Sequence, residues 1–317
     1  MMKTLIECVP NFSEGRETSK IDAIVEAMLR AEDVYLLDRQ MDADHNRSVI
    51  TLAGTRESVG EAALRGVGRA AELIDLTRHE GAHPRIGSTD VVPFVPLRGV
   101  TLGDCVLIAE RVAGEIWRRF QIPTYLYEAA ARQPTRRNLE NIRREQFEQF
   151  RELVPRDPSL HPDFGEPRLH PTAGATAVGA RKFLIAYNVN LGTDDVRLAG
   201  GIARKIRASN GGLPRVKAMG VMLRSRKVAQ VSMNLTDYET TSIETAFDAA
   251  EREAAAVGVE VTSSEIVGLV PRDALPESAI RRLKIQNYRP DLILENRLAK
   301  AIEERQPTPN PFFSRKN

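Results

Sequence analysis

The chain of 317 residues is long enough for two modest domains, and its formal net charge is only +2, with 5% aromatic residues. This composition gives no electrostatic or base-stacking reason to expect nucleic acid or an anionic membrane as a partner. Two cysteines cannot build a disulfide framework or a thiolate metal cluster. An acid interrupts the N-terminal segment and no uncharged apolar run reaches membrane length, so we expect a cytoplasmic protein.

The first half of the chain predicts the order β-α-β-β-α-β. Helical spacing of apolar residues begins at Ile21 and recurs over Arg56–Asp75, and Gln40–Asn46 is a polar turn. The predicted strands are Lys3–Val9, Val34–Leu37, Arg47–Leu52 and Val91–Val95.

The middle of the chain departs from this order. A helix over Asp104–Phe120 and a strand over Thr124–Tyr127 precede a charged helix over Arg136–Leu153. We interpret its charges as a solvated face rather than a binding patch. From Val154 to Gly179, prolines and glycines remove all periodicity, which indicates either a linker or a binding segment.

The second half repeats the first. Helices are predicted over Asp194–Ala208, after a capping box at Thr241–Glu244, after Asp273, and over Pro290–Glu304. The predicted strands are Phe183–Val189, Val216–Leu223, Val228–Leu235 and Val259–Val261, with a hairpin at Arg224–Arg226 and a mobile tail at Gln306–Asn317. The pattern predicts an α/β (α+β) protein of two ferredoxin-like βαββαβ subdomains, residues 1–180 and 181–317. Each would have an antiparallel sheet with helices outside, and the two sheets would be layered around a ligand cleft or tunnel.

The segment Arg78–Gly87 contains His79-Glu80-x-x-His83, the spacing of a zinc peptidase. Zinc would need both histidines on one helix, but Gly81 and Pro84 oppose a helix there. We therefore expect a rigid loop that presents His83 and Arg85, and no metal.

In the predicted topology this loop meets two others at one edge of the sheet. The residues expected to gather there are Asn11, Ser13, His45, Asn46, Arg47, His79, His83 and Arg85. Three loops that carry His, Arg and Asn together favour a site.

Polar side chains also alternate along two strands of the second half. Asn188 and Asn190 share a face of one strand, beside Gln230, Ser232, Asn234 and Thr236 on another. Solvent exposure would explain this face equally well as a ligand with hydrogen-bond donors and acceptors, such as a pterin.

These residues together resemble the formiminotransferase family, over nearly the whole chain. The likeness runs through Glu7–Gly15, Asn46-Arg47, Arg78-His79, His83–Arg85, Pro93-Phe94, Arg98–Val100, Tyr125–Tyr127, Asp163–Gly165, Gly174–Thr176, Gly179–Ala186, Asn188, Asn190 and Gly268–Pro271. It implies two α/β subdomains around a ligand tunnel, a homodimer, and no cyclodeaminase domain in this chain.

The resemblance implies transfer of the formimino group from N-formimino-L-glutamate to N5 of tetrahydrofolate, a co-substrate, in histidine degradation. A folate enzyme acting on 5-formyltetrahydrofolate and a non-catalytic folate-binding module are the alternatives. Gln40 stands where the mammalian bifunctional enzyme has an acid, which leaves the hydrogen bonding of the donor open.

The same resemblance places the catalytic histidine at His83. It places folate contacts at Gly165, Glu166, Pro167, Arg168, Leu169, His170, Pro171, Thr172, Ala173 and Gly174, and we add Asn188 and Asn190 as pterin contacts. For the formiminoglutamate we expect Arg47, Arg85, Asn11, Gln40 and His45, with Arg85 or Arg47 pairing the carboxylates.

Overall fold

The computed structural model describes residues 4–223 and 226–305. Predictions for Lys3, for the tip of the hairpin at 224–225 and for the tail 306–317 therefore lie outside the described residues. The chain divides into two compact units, Met1–Arg181 and Lys182–Asn317.

The first unit holds the predicted β-α-β-β-α-β order and then extends it. Its strands are β1 (Leu5–Cys8), β2 (Asn11–Phe12), β3 (Val34–Asp42), β4 (Arg47–Gly54), β5 (Thr89–Arg98), β6 (Thr124–Glu128) and β7 (Thr176–Ala180). Its helices are α1 (Thr18–Leu29), α2 (Arg56–Leu73), α3 (Leu102–Phe120), α4 (Leu139–Arg143) and α5 (Gln146–Leu153), with short 3-10 turns at Leu76–Arg78, Pro134–Arg137 and Pro158–Leu160.

These strands form one sheet in the order β3-β4-(β1, β2)-β5-β7-β6 among the described residues. The first five are antiparallel and match the predicted ferredoxin-like arrangement. The expectation of a purely antiparallel sheet is wrong, because β7 pairs in parallel with both β5 and β6. β7 was missed because its small, fully buried residues lack the alternation of a half-exposed strand.

Two local departures move site residues. The first strand was predicted to end at Val9, but after Pro10 the chain forms a further strand, β2, and both β1 and β2 lie between β4 and β5. β3 runs on to Asp42, so Gln40 is a strand residue paired with Val49 and not part of a turn.

Helices α1, α2 and α3 cover one face of this sheet. Ile6 and Cys8 of β1 pack with Val59 of α2 and Ile108 and Val112 of α3 in a fully buried core. A second core forms where Ile21 and Ile24 of α1 pack against the β3–β4 ribbon. The predicted charged helix is instead broken into α4 and α5, with Gln146 in the left-handed region at φ 49°. Ile142, Phe147 and Phe150 are buried, so this segment packs against the rest of its unit.

The second unit has the ferredoxin-like strand order β11-β8-β10-β9, all antiparallel. Its strands are β8 (Ile185–Leu191), β9 (Val216–Leu223), β10 (Val228–Leu235) and β11 (Val261–Val267), and its helices are α6 (Val196–Ile206), α7 (Ile243–Ala255), α8 (Ala279–Arg282) and α9 (Leu294–Arg305). Ser242, and not Thr241, caps α7 by accepting from the Thr245 N–H. Within the described ranges, no helix is both long and apolar enough to cross a membrane.

Candidate functional site

Asn46 ties the three loops of the first unit together. Its Oδ1 accepts from the Gly15 N–H at 2.9 Å, and its Nδ2 donates to the Glu80 carbonyl at 2.9 Å. Asn46 adopts φ 47°, a left-handed conformation that asparagine tolerates better than most residues. Ser13 adds a second link, because its hydroxyl donates to the Gly87 carbonyl at 2.7 Å. The predicted convergence of these loops is confirmed.

His79 supports the contact between these loops. Its Nδ1 accepts from Nε of Arg85 at 3.0 Å, so Nε2 carries the proton and donates to the Asn46 carbonyl at 2.9 Å. Both Nη atoms of Arg85 donate to the carboxylate of Glu148, at 2.9 and 2.6 Å. The guanidinium of Arg85 is thus engaged on two sides by protein atoms.

Arg47 is the first residue of β4. One Nη donates to Oδ2 of Asp90 at 2.8 Å and the other to Oδ1 of Asn11 at 2.8 Å. Arg143, at the end of α4, places Nη2 at 2.7 Å from the same Asp90 oxygen. Asp90 is fully buried, and although burial raises its pKa, Arg143 and Arg47 hold that pKa below its usual value. The carboxylate is therefore ionised.

The charges of Arg47, Arg143 and Asp90 act on His83. Its Nδ1 is 2.7 Å from the Pro84 carbonyl, which can only accept, so Nδ1 carries the proton and Nε2 keeps a lone pair. Burial, together with the positive charges of Arg47 and Arg143, lowers the pKa of His83 to about 4. At neutral pH the ring is uncharged, and its Nε2 can accept a proton.

The other residues predicted for the donor lie near this edge but differ in their contacts. The ring of His45 approaches that of His83 edge-on, with centroids 6.1 Å apart, and its Nδ1 contacts Asp42 at 2.8 Å. Gln40 is half-buried and donates to Asp38 at 2.8 Å. Asn11 donates to the Val9 carbonyl while accepting from Arg47.

The segment Gly165–Gly174 divides into an exposed half and an anchored half. Gly165 to Arg168 are exposed, whereas Leu169 and Ala173 are buried. His170 and Gly174 exchange two backbone hydrogen bonds, and Ala173 accepts from Ser88 in the loop after His83. Gly174 has φ 72°, and a Cβ there would lie 2.1 Å from the Ile86 carbonyl oxygen. This half of the segment is built onto the His83 loop.

Asn188 and Asn190 belong to the second unit, where the strand register confirms their shared face. Asn190 lies opposite Gln230 and Asn188 opposite Ser232. Gln230 Nε2 donates to Asn190 Oδ1 at 2.9 Å, and Asn190 Nδ2 donates to Ser263 at 3.0 Å. The Asn190 amide is buried and paired with neighbouring strands, so solvent exposure does not explain it.

Comparison with known proteins identifies the family of this chain. The model of the formiminotransferase domain, N-terminal subdomain, matches residues 5–181, and that of the formiminotransferase domain matches residues 186–303. The chain belongs to the formiminotransferase family.

Curated relatives of this family align over most of the chain. A glutamate formimidoyltransferase of Streptococcus pyogenes is 46% identical, over 94% of this chain and 99% of the relative. One from Thermoplasma acidophilum is 43% identical, over 94% and 98%. The formimidoyltransferase-cyclodeaminase of Mus musculus is 41% identical over 88% of this chain, which corresponds to 52% of that longer protein.

Three charged residues of this candidate site were not predicted from the sequence. Asp90 directly precedes the apolar run that predicted β5, and it was left outside the strand. Arg143 and Glu148 lay in the charged segment interpreted as a solvated face, yet both reach the site. The useful signal was the apolar set Ile142, Phe147 and Phe150, which shows that this segment packs.

The zinc motif takes the form expected of a loop. Residues 79–88 contain no helix, so His79 and His83 do not share a helical face. Among residues 4–223 and 226–305, no group of three His, Cys, Asp or Glu side chains could hold a metal ion.

Proposed function

We propose that this protein transfers the formimino group of N-formimino-L-glutamate to N5 of tetrahydrofolate, releasing L-glutamate and 5-formiminotetrahydrofolate, as a step of histidine degradation. Two relatives that are 46% and 43% identical in sequence are named glutamate formimidoyltransferase, which supports this reaction. The observation that carries the chemistry is His83, whose Nε2 keeps its lone pair beside a cluster of net positive charge.

The reaction needs one proton moved between two nitrogens. A bond forms between N5 and the formimino carbon, N5 loses a proton, and the glutamate nitrogen gains one as its bond to carbon breaks. We assign both transfers to Nε2 of His83, as base first and acid second. Once protonated, a ring whose pKa is about 4 gives its proton up readily to the departing amine.

For the amino-acid donor we propose Arg47, Asn11, Gln40 and His45 as the binding residues. The position of Arg47 beside Asp90 and that of His45 beside His83 support this assignment. Arg85 was expected to pair a donor carboxylate, but its N–H groups already contact His79 and Glu148. These contacts favour a positioning role for Arg85, holding the loop that carries His83.

For tetrahydrofolate we propose the exposed residues Gly165 to Arg168, the segment from Leu169 to Gly174 behind them, and the amides of Asn188 and Asn190. Gln230 and Ser263 use one acceptor and one donor of the Asn190 amide, which leaves one N–H and one lone pair for a pterin. We further propose a cytoplasmic homodimer and a division of the chain into two subdomains, residues 1–180 and 181–317.

Glutamate release by the purified protein tests this function. We expect glutamate when N-formimino-L-glutamate and tetrahydrofolate are both present, and none when either is omitted. Turnover of 5-formyltetrahydrofolate without that donor would favour the alternative folate enzyme. Tetrahydrofolate binding without turnover of any donor would favour a non-catalytic binding module.

A further inference from the structure

Two arginines share one carboxylate oxygen in the first unit. Nη1 of Arg47 donates to Oδ2 of Asp90 at 2.8 Å, and Nη2 of Arg143 lies 2.7 Å from that oxygen. The second oxygen of Asp90 accepts from the Ile86 N–H at 2.9 Å. Both oxygens are thus occupied, and the three side chains retain one net positive charge.

This excess charge is held away from water. The Arg47 and Arg143 side chains are 10% and 14% exposed, and Asp90 is 0% exposed. Nε of Arg143 is buried and has no hydrogen-bond partner in the described part of the chain. A buried charged donor without an acceptor is unfavourable, so the arrangement favours a ligand that brings an anionic oxygen.

Arg143 is not needed to neutralise the negative charge of Asp90. Arg47 alone would balance the carboxylate, and its second Nη is already stabilised by Asn11. A single carboxylate would cancel the excess charge and supply the missing acceptor to Nε. An ion with two negative charges, such as phosphate, would leave one charge uncompensated.

We propose that Arg143 binds a carboxylate of the glutamate-derived donor through its Nε–H. This rests on the proposed function, which provides a donor with two carboxylates, and it adds a binding residue outside the loops of His83. Arg47 and Arg143 both lower the pKa of His83, so a carboxylate bound there would act on the same ring.

Titration calorimetry with the full-length protein tests the assignment without requiring turnover. The probes are L-glutamate, L-glutamine and L-isoglutamine, because each amide replaces one of the two carboxylates. The variants are Arg143→Gln and Arg143→Lys, which keep Asp90 paired with Arg47. Arg144→Gln is the matched control, because Arg144 is exposed and contacts the exposed Asn141 at 3.0 Å.

We expect wild type to bind glutamate about ten- to a hundredfold more tightly than one of the amides, the value of a charged hydrogen bond. Both Arg143 variants should lose this preference while Arg144→Gln keeps it. Thermal unfolding near the wild-type temperature would show that the variants fold, and Arg143→Lys keeps the positive charge should Arg143→Gln be unstable.

Two results would overturn the inference: Arg143 variants that retain the wild-type preference, or a wild-type protein that binds glutamate no better than either amide. The proposed function is judged separately. If formimino transfer is absent but the preference for glutamate depends on Arg143, the proposed reaction is rejected and the carboxylate site is kept. Normal transfer with an unchanged preference would reject Arg143 alone.

Discussion

Arg85 donates its Nε–H to Nδ1 of His79 across 3.0 Å, and this contact decides which nitrogen of His79 carries the proton. Because Nδ1 accepts, Nε2 must donate, and it does so to the Asn46 carbonyl. Burial also lowers the pKa of His79, which keeps the ring neutral. A chain of hydrogen bonds from Glu148 through Arg85 and His79 to Asn46 therefore holds the loops that carry His83.

Arg85→Lys should loosen this loop. Lysine keeps the charge but lacks the Nε–H and the fork that contacts Glu148, so we expect about 1–3 kcal/mol of lost stability. Turnover should fall about tenfold or more, because His83 would be held less firmly. Denaturant unfolding and steady-state kinetics measure both effects. Arg78→Lys is the control, since Arg78 is 88% exposed. Equal effects of the two variants would contradict the role given to Arg85.

Gly174→Ala should destabilise the segment proposed to bind folate by more than its backbone angle alone requires. Gly174 and Gly258 share φ 72°, but a Cβ at Gly258 meets nothing within 4 Å, whereas one at Gly174 meets the Ile86 oxygen. Gly258→Ala should therefore cost about 1–2 kcal/mol in unfolding free energy. Gly174→Ala should cost more and raise the KM for tetrahydrofolate. Indistinguishable variants would contradict the close contact.

The charge state of His83 should respond to the two arginines. His83 faces Arg47, Arg143, Asp90 and His45, and its pKa of about 4 reflects burial and then the positive charges. The base form is lost as pH falls through that value, so kcat/KM should decline only in strongly acidic solution. Arg143→Gln removes one positive charge and should move this decline, and the His83 pKa read by NMR, to higher pH. A decline that stays in place would contradict the electrostatic coupling.

Glu7 predicts a pH dependence of stability. Burial raises its pKa to about 7, against the lowering effect of Arg181, whereas the usual value is 4.5. The folded state thus binds the proton more tightly, and Glu7 stabilises the fold below its usual pKa and loses that effect as pH rises through about 7. The unfolding free energy of the wild type should therefore fall as pH rises from 4.5 to about 7, by at most about 1.4 kcal/mol per pH unit.

Glu7→Gln should remove that slope, as measured by denaturant unfolding at several pH values. Glu32→Gln serves as the control, because Glu32 is exposed. A slope that persists in Glu7→Gln would place its origin in another group.

The sequence predicted those parts of the molecule whose periodicity is strong. β9 and β10 have their predicted bounds, and α2 differs only at its last residues. β7 could not be recognised, because Thr176–Ala180 is short, made of small residues and preceded by a segment without periodicity. Its position between β5 and β6 depends on long-range pairing that no local pattern encodes.

The site divides in the same way. Topology alone brought Asn46, His79 and His83 to one edge, since the ends of neighbouring strands meet there. The partners of Arg85 were not predictable, because Glu148 lies 63 positions away in a segment that reads as a surface helix. Arg143 escaped for the same reason, since a charged run gives no sign of which member turns inward.

His83→Ala tests the central claim most directly. Glutamate release and 5-formiminotetrahydrofolate formation are followed together in wild type, His83→Ala and His161→Ala, with tetrahydrofolate binding measured on the same preparations. The proton transfers assigned to Nε2 predict a loss of about two orders of magnitude or more in kcat for His83→Ala, with binding retained. His161→Ala should match wild type. Near-normal turnover by His83→Ala would contradict the account.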